Sequence, residues 1–237
     1  MKLSIVIPCY NEEHNISTLL ERISNLQKYS EIEFVLVDNG STDNTGILLE
    51  QAAIKYSNIR KVKVLKNKGY GYGIKCGIKE CSGDFIGWTH ADSQVNPEDV
   101  LIAYNYIEKE DFSNIFFKGI RNNLKRSVTE RFFTFMMQRI VSNILKMKMI
   151  DINGQPNVYP RKMKDLIMNA PDDVMIEIYC YYIALQLGLK ETRKIVKFGK
   201  RLSGKSHLAP NLISRIKTSF SVIKYSKALK DRDALYV

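Results

Sequence analysis

Short apolar runs alternate with stretches of helical spacing along the first 120 residues. A short apolar run bounded by turn residues is typical of a buried strand, and apolar residues three or four apart are typical of a helix that faces a core. The strands are predicted at residues 3–7, 34–37, 62–65, 84–89 and 114–118. The helices are predicted at residues 11–25, 42–56, 73–80 and 97–109. This alternation predicts an α/β fold in which helices flank a mostly parallel sheet.

The pattern changes beyond residue 120. Residues 127–149 are rich in Phe, Met and Ile at helical spacing and predict one long helix. A loop and short strand at 151–159, a helix at 174–187, a strand at 195–198 and a loop at 200–207 follow. Residues 210–237 are typical of a basic helix. Because no repeat or clear linker interrupts the chain, we predict one domain over residues 1–207 and a basic helical tail over 208–237.

The composition is that of a globular protein, with 45% hydrophobic and 26% charged residues among 237. It argues against a disordered chain, a collagen-like repeat and a disulfide scaffold. No apolar run reaches the ~18 residues of a membrane span, and the first residues become polar too soon for a signal peptide. The four cysteines form no C-x-x-C pair. This disfavours a zinc site and fits reduced thiols in the cytoplasm.

The formal net charge of +11 is unevenly distributed. Residues 1–110 hold 12 basic and 15 acidic groups, whereas residues 111–237 hold 24 basic and 10 acidic groups. A basic half suggests an anionic partner, which is a nucleic acid, a phosphorylated ligand or an anionic membrane. The alternative is a solvated surface that only aids solubility.

Polar residues and glycines follow each of the first four predicted strands, at residues 8–12, 38–43, 67–73 and 90–94. Ligands of an open parallel sheet bind outside the carboxyl ends of its strands. Each segment alone is an ordinary turn, and Asp38 alone is equally a helix cap, but four together favour a nucleotide site. Glycines 69, 71 and 73 allow a ligand to approach the backbone closely. They do not form G-x-G-x-x-G, and no P-loop is present, so NAD-binding and P-loop ATPase folds are disfavoured.

Asp92 and Gln94 follow the fourth strand, two residues apart. Alternate residues of an extended chain point to the same side, so both side-chain oxygens can face one cation. Carboxylate and amide oxygens suit Mg²⁺ or Mn²⁺, which commonly bridge substrate phosphates. A lone aspartate at a strand end is more often structural, but the neighbouring polar segments favour a metal–diphosphate site. His90 is a further candidate ligand or a hydrogen-bond donor to one.

Seven segments of the chain resemble family 2 glycosyltransferases, which have the GT-A fold. SIVIPCYNEE, VLVDNGSTDNT, NKGYGYGIKCGI and HADSQVNPED resemble the successive motifs of that family. GIR at 119–121, DINGQPNVYPRK at 151–162 and VKFGKRLSGKS at 196–206 resemble its polyprenyl-phosphate mannose synthase branch and bacterial surface-polysaccharide relatives. The resemblance covers residues 3–207.

The resemblance implies a nucleotide-diphosphate sugar as donor and Mg²⁺ or Mn²⁺ as cofactor. It assigns donor binding to Pro8, Tyr10, Asn11, Glu12, Asp38, Lys68, Gly73, Ala91, Asp92, Arg201 and Lys205. Metal binding falls to Asp92 and Gln94, and Asp92 and Arg201 are also assigned to catalysis. Arg201 and Lys205 would close over the diphosphate and neutralise its charge as it leaves. The family's D-x-D is His-Ala-Asp here, so metal ligation depends more heavily on Asp92 and Gln94.

The resemblance also implies inversion at the anomeric carbon by in-line attack on the donor. A phosphate acceptor needs cations to position it, and Arg121 and Arg131 are the candidates. A hydroxyl acceptor needs a carboxylate base. The base candidates are Glu177, Asp172 and Asp151, of which we favour Glu177, although an exposed helical glutamate or a core ion pair is its ordinary role. Gln155 is expected to face the sugar or acceptor, although a glutamine in a loop usually has a structural role.

The helix predicted at 127–149 suggests a contact with a membrane. Its apolar positions are Val128, Phe132, Phe135, Met136, Ile140, Ile144 and Met147, with cations between them. Such a helix can lie in a bilayer interface and meet a polyprenyl chain, but an apolar stripe is also typical of a core helix. The basic tail would add electrostatic attraction to anionic lipid. The expected location is the cytoplasmic face of the membrane, as a peripheral protein.

Three other functions remain open at this point. A nucleotidyl transferase on the same fold would need more acidic metal ligands than Asp92 and Gln94. Nucleic-acid binding through residues 190–232 has the charge but lacks a recognisable binding module, so no nucleic-acid partner is expected. A non-catalytic protein that binds a sugar nucleotide fits the replacement of an acidic ligand by His90.

Overall fold

The computed structural model describes residues 2–92, 96–108, 114–121, 128–196 and 212–233. Seven strands are present in them: β1 Leu3–Cys9, β2 Ile32–Asn39, β3 Ile59–Val64, β4 Phe85–Trp88, β5 Ile115–Arg121, β6 Asn157–Pro160 and β7 Lys190–Val196. The helices are α1 Glu13–Ser24, α2 Thr45–Lys55, α3 Tyr70–Glu80, α4 Asp99–Ile107, α5 Val128–Leu145, α6 Lys164–Met168, α7 Ile176–Gln186 and α8 Leu212–Asp233. A 3₁₀ turn, Arg161–Met163, precedes α6.

The seven strands form one sheet in the order β3-β2-β1-β4-β6-β5-β7. Neighbours pair in parallel except at β6, which is antiparallel to both β4 and β5. The carboxyl ends of β2, β1 and β4 therefore lie side by side, and those of β5 and β7 lie at the same edge. This confirms the predicted α/β fold with a mostly parallel sheet.

The sheet is covered by helices on both faces. Strand residues alternate between the two faces, so Val6 belongs to one apolar core while Ile5 and Ile7 belong to the other. Helices α1, α2 and α4 cover one face, and α3, α5, α6, α7 and α8 contribute to the other. The result is a three-layer α/β/α arrangement that leaves the carboxyl ends of the strands accessible between helices.

The predicted strand at 195–198 is displaced in the structure. Strand β7 begins at Lys190 and ends at Val196, because its pairing with β5 starts at Ile115. The charged residues at 190–194 do not match the apolar pattern that predicts a buried strand. They can still form a strand here, because β7 is at the edge of the sheet, where side chains can be charged while the backbone pairs with β5.

The C-terminal helix is packed against the rest of the protein. Ser226 and Leu229 are buried, and Tyr225 packs against the core that contains α7. The boundary predicted at 207/208 falls outside the described residues. Among the helices that the structure describes, none is long and apolar enough to span a bilayer.

Candidate functional site

The loops after β1 and β2 are joined by hydrogen bonds. Cys9 and Asp38 are partners across the two strands, so the loops begin side by side. The Asn11 amide donates to Ser41 Oγ at 3.2 Å, and the Thr42 amide donates to Asn11 Oδ1 at 2.9 Å. These bonds join the two loops into one surface at the carboxyl end of the sheet. We call this surface, formed by residues 8–12 and 38–42, the wall.

Donor-site candidates Pro8, Tyr10, Asn11 and Glu12 are partly exposed on this wall. Asp38 is only 5% exposed, and its Oδ1 accepts the Ser41 amide at 3.0 Å. Asp38 therefore stabilises the turn after β2. It does not have the alternative role of capping the following helix, since α2 begins at Thr45 with Asn44 as its N-cap residue.

The three glycines after β3 make room for protein atoms. A Cβ on Gly69 or Gly71 would collide with carbonyl oxygens of residues 171–173, and one on Gly73 would lie 2.8 Å from Asn39 Cγ. The missing side chains therefore allow other segments of the protein to pack closely against this loop, and the approach of a ligand to the same backbone stays a prediction. Lys68 is exposed, with Nζ 5.0 Å from the centre of the Tyr72 ring.

The end of β4 carries the predicted metal site. Ala91 and Asp92 are buried, with 3% and 7% of their surface exposed. The centre of the His90 ring lies 5.6 Å from the centre of the Tyr70 ring. Gln94 lies outside the described residues. In the described part of the chain, no three metal-binding side chains meet. One buried carboxylate beside the wall fits an Mg²⁺ or Mn²⁺ ion held jointly by protein and substrate phosphates, because such ions usually have one or two carboxylate ligands.

Glu177 on α7 accepts hydrogen bonds from four side chains. Its Oε1 receives Trp88 Nε1 at 2.8 Å, Gln155 Nε2 at 2.8 Å and the Tyr70 hydroxyl at 3.1 Å. Its Oε2 receives Asn157 Nδ2 at 2.8 Å. Glu177 is 3% exposed. It is therefore a buried, ion-paired residue rather than an exposed helical one, which is the second of its two ordinary roles.

Lys118 supplies the positive charge beside this carboxylate. Its Nζ lies 3.7 Å from Glu177 Oε2, donates to Asn157 Oδ1 and sits 5.2 Å from the centre of the Tyr181 ring. Lys118 is fully buried. Burial lowers its pKa to about 8, although the Glu177 carboxylate acts in the opposite direction.

The other acceptor-side candidates have separate partners. The Arg121 amide donates to Asp151 Oδ2 at 2.8 Å, and Arg121 Nε donates to Asp151 Oδ1 at 2.9 Å. Burial alone would raise the pKa of Asp151, but the Arg121 charge and hydrogen bonds lower it below its usual value. Asp151 is thus a weak base. Asp172 pairs with Lys75 at 2.7 Å, and Arg131 lies on the exposed side of α5.

Arg201 and Lys205, the predicted phosphate clamp, lie outside the described residues. The strand that precedes them does define where their segment starts. Val196, the last residue of β7, is paired with Arg121, the last residue of β5. The segment therefore begins at the edge of the sheet that carries Asp92.

Sequence reasoning missed Lys118, Trp88, Asn157 and Tyr70. The available signal was a lysine inside the apolar run IFFKGI, which predicted a buried strand. A buried lysine requires a carboxylate partner, and Glu177 was available on a helix of the same chain.

We expect the fluorescence of Trp88, the only tryptophan, to change with a midpoint near pH 8. Lys118 is charged below that pH and neutral above it, and it shares the Glu177 carboxylate with the indole. The groups that face Lys118 are Glu177, Arg193, Asp151, Glu191, Asn157 and the Tyr181 ring. Selective excitation of tryptophan across a pH titration measures the change. The variant Lys118→Met should lack the transition, and an unchanged midpoint there would contradict the assignment.

Residues 4–163 match the model described as glycosyl transferase family 2, which is more than half of the chain.

The chain is also similar to curated proteins. It is 31% identical over 169 residues to an undecaprenyl-phosphate 4-deoxy-4-formamido-L-arabinose transferase of Pseudomonas fluorescens strain SBW25, covering 70% of this chain and 49% of that protein. With a protein of the same name from Pseudomonas fluorescens strain Pf-5 it is 28% identical over 214 residues, covering 88% of this chain and 60% of the relative. The chain therefore spans about half to three-fifths of the length of these two relatives.

Solved structures share the fold. Glucosyl-3-phosphoglycerate synthase from Mycobacterium tuberculosis, in complex with Mn²⁺, UDP-glucose and phosphoglyceric acid, superposes with a TM-score of 0.69 at 16% identity, covering 96% of this chain and 80% of that one. The mannosyltransferase PcManGT from Pyrobaculum calidifontis, in complex with GDP-Man and Mn²⁺, gives a TM-score of 0.62 at 17% identity, covering 96% and 69%. These likenesses confirm the predicted GT-A fold.

Proposed function

Because the chain belongs to glycosyl transferase family 2, we propose that it transfers a sugar from a nucleotide-diphosphate donor to a polyprenyl phosphate. The observation that carries this proposal is the meeting of three strand ends, which brings Asp38, the 8–12 loop and Asp92 to one edge of the sheet. That edge can hold a nucleoside at one end and its diphosphate at the other.

The donor would lie along the wall from β2 to β4. Pro8, Tyr10, Asn11, Glu12 and Asp38 would face the nucleoside, with Lys68, Gly73 and Ala91 nearby. Asp92, with Gln94, would hold an Mg²⁺ or Mn²⁺ ion, which neutralises the diphosphate as it leaves. Arg201 and Lys205 would approach the same phosphates from the C-terminal side and add positive charge to the leaving group.

We call the space above the carboxyl ends of β1, β4 and β5 the cleft, with the donor on the side of β1 and β2. On its other side, near β5 and β6, a phosphate acceptor suits the residues better than a hydroxyl acceptor does. A phosphate is already an anion and attacks the anomeric carbon in line without a base, with inversion. The favoured base candidate, Glu177, already accepts four hydrogen bonds, and Asp151 is bound to Arg121. Both curated relatives carry undecaprenyl phosphate in their names. Arg131, which is exposed, and Arg121, which would keep its ion pair with Asp151, are the proposed phosphate-positioning cations. Gln155 would face the sugar.

Helix α5 offers a surface for a membrane that contains such an acceptor. Phe132, Phe135 and Met136 are 64%, 54% and 42% exposed, whereas Val141 and Leu145 on the opposite side of the helix are buried. Arg131 and Arg139 are exposed on the same helix, and Arg139 lies one turn beyond Phe135 on the apolar face. An amphipathic helix of this kind can insert into the lipid interface, which supports a peripheral position. We propose the cytoplasmic face of the membrane as its location.

The donor site is tested by thermal-shift titration with several sugar nucleotides, with and without Mn²⁺. A bound donor at 100 times its Kd should stabilise the folded protein by about 2.7 kcal/mol. We expect one nucleotide to raise the melting temperature, and more strongly with Mn²⁺. If none does so, the transferase proposal fails. Salt-dependent binding to heteropolymer DNA that sugar nucleotides leave unchanged would favour a nucleic-acid function instead.

Replacing Phe132 and Phe135 by serine should weaken binding to anionic lipid vesicles by about a hundredfold. Each phenylalanine buried in the interface contributes on the order of 1.5 kcal/mol, and about 1.4 kcal/mol corresponds to tenfold in affinity. Vesicle sedimentation measures the partition. The matched control is Ile54→Ser, since Ile54 is 81% exposed on α2, away from α5. Equal losses in both variants, or none, would remove the proposed membrane surface.

A further inference from the structure

Six buried or partly buried side chains form a connected cluster beneath the cleft. We call it the Glu177 cluster, and its members are Glu177, Lys118, Asn157, Trp88, Tyr70 and Gln155. They come from α7, β5, β6, β4, α3 and the loop before β6. We call β1 to β4 with their helices the donor half of the fold and β5 to β7 with α5 to α7 the acceptor half. The Glu177 carboxylate thus connects the two halves.

The sheet register explains why these residues meet. Asn157 is the partner of Trp88 on one side and of Lys118 on the other. Directly paired residues point to the same face of a sheet, so the three side chains form a row under α7. A single carboxylate from the helix can then contact the whole row.

The donor set around Glu177 fits an ionised carboxylate that holds other groups in place. An ionised carboxylate only accepts hydrogen bonds, and here its two oxygens accept four of them beside the Lys118 ammonium. Three of the four bonds fall on Oε1, Oε2 lies 3.7 Å from the Lys118 ammonium, and the residue is 3% exposed, so a substrate has little access to either oxygen. The arrangement therefore favours a role in geometry over one in proton transfer.

Two members of the cluster connect it to the cleft. Tyr70 places its ring 5.6 Å from that of His90, which is two residues before Asp92. Burial raises the pKa of Tyr70 well above its usual value, and Glu177 and Asp92 add to this effect, so its hydroxyl stays a donor. Gln155 is 1% exposed and donates through Nε2 to Glu177, while its buried Oε1 has no protein partner among the described residues. That oxygen is left to accept a hydrogen bond from a substrate or a water molecule.

We propose that Glu177 is a positioning residue that holds Tyr70 against the His90–Asp92 segment and orients Gln155 toward the substrate, with Lys118 balancing its charge. The proposal rests on the proposed transferase function for its catalytic consequence. Its structural consequence, a coupling between Glu177 and Lys118, does not depend on that function.

A double-mutant cycle of Glu177→Gln and Lys118→Met tests the proposal, with melting temperature, Trp88 fluorescence and turnover as readouts. Glu177→Gln alone leaves a buried ammonium without its carboxylate, so it should lower the melting temperature, shift the Trp88 emission and reduce kcat at least tenfold. In the Lys118→Met background no charge is stranded. There the same change should cost less than threefold in kcat and leave the melting temperature within a few degrees.

A general base would behave differently in the cycle. Glu177→Gln would then reduce kcat by the same large factor in both backgrounds, and that result would overturn the proposal. Additive effects on the melting temperature would overturn it too. If Glu177→Gln alone does not fold, the comparison of Lys118→Met with the double variant still decides between the two roles. If the wild type transfers no sugar, the proposed function fails, whereas the melting-temperature and fluorescence cycle still tests the pair.

Discussion

Replacing Asp92 by alanine is expected to abolish turnover, by about 10³-fold or more, while the protein stays folded. A metal ion that neutralises a leaving diphosphate contributes several kcal/mol to the transition state, and about 1.4 kcal/mol corresponds to tenfold in rate. Asp92 is the buried carboxylate at the end of β4, beside the wall formed by the loops after β1 and β2. Its loss removes the protein carboxylate proposed to hold that ion.

Steady-state turnover and Mn²⁺-dependent donor binding measure the effect of Asp92→Ala. The matched control is Asp165→Ala, which removes an exposed carboxylate from the first turn of α6. We expect the control to retain activity, and both variants to melt near the wild-type temperature. Full activity of Asp92→Ala would contradict the metal assignment, and so would donor binding that still responds to Mn²⁺ as in the wild type.

The second large effect is expected for Arg201→Ala, which should slow turnover by about 100-fold. Strand β7 ends at Val196 and is separated from β4 by β5 and β6, so three strand spacings, about 14 Å, divide them. The five residues from Val196 to Arg201 can span up to about 17 Å. A guanidinium at position 201 can therefore reach the diphosphate beside Asp92.

The loss should appear in kcat more than in the donor KM, since the charge that Arg201 is proposed to neutralise develops in the transition state. The control is Lys79→Ala, because Lys79 is exposed on α3 and its replacement removes one positive charge far from the proposed diphosphate site. Unchanged kinetics of Arg201→Ala would remove the clamp from the account. An equal loss in the control would indicate a general effect of net charge.

The sequence predicted much of the donor half because its signals are local. Strands β1, β2 and β4 are apolar runs followed by turn residues, and parallel strands with helical connections bring their carboxyl ends together. Strand β3, Ile59–Val64, is an exception, because Arg60 and Lys61 obscure its first half and it begins before the predicted residue 62. Asp38 and Asp92 could therefore be placed at one edge without a structure. The helix α5 was also predicted, from apolar residues at helical spacing, but the sequence left open whether its apolar stripe faces a membrane or the core, and only the structure shows that Phe132, Phe135 and Met136 are exposed.

The acceptor half could not be predicted in the same way, since its contacts join distant parts of the chain. Glu177 meets Trp88 only because β6 inserts antiparallel between β4 and β5, and no local pattern encodes that insertion. The sequence suggested that Gly69 and Gly71 let a ligand approach the backbone. On the side where a Cβ would lie, the structure instead has the carbonyl groups of residues 171–173, which are about one hundred positions later in the sequence. Charged residues likewise concealed the first half of β7.

The most direct test of the central claim is a mass measurement on the acceptor. The purified protein is incubated with undecaprenyl phosphate and a panel of sugar nucleotides with Mn²⁺, and the lipid fraction is analysed by mass spectrometry. We predict one new lipid whose mass equals that of undecaprenyl phosphate plus one sugar residue, formed by the wild type and absent with Asp92→Ala. A sugar transferred only to a hydroxyl acceptor would contradict the account, as would the absence of any product when a donor is shown to bind.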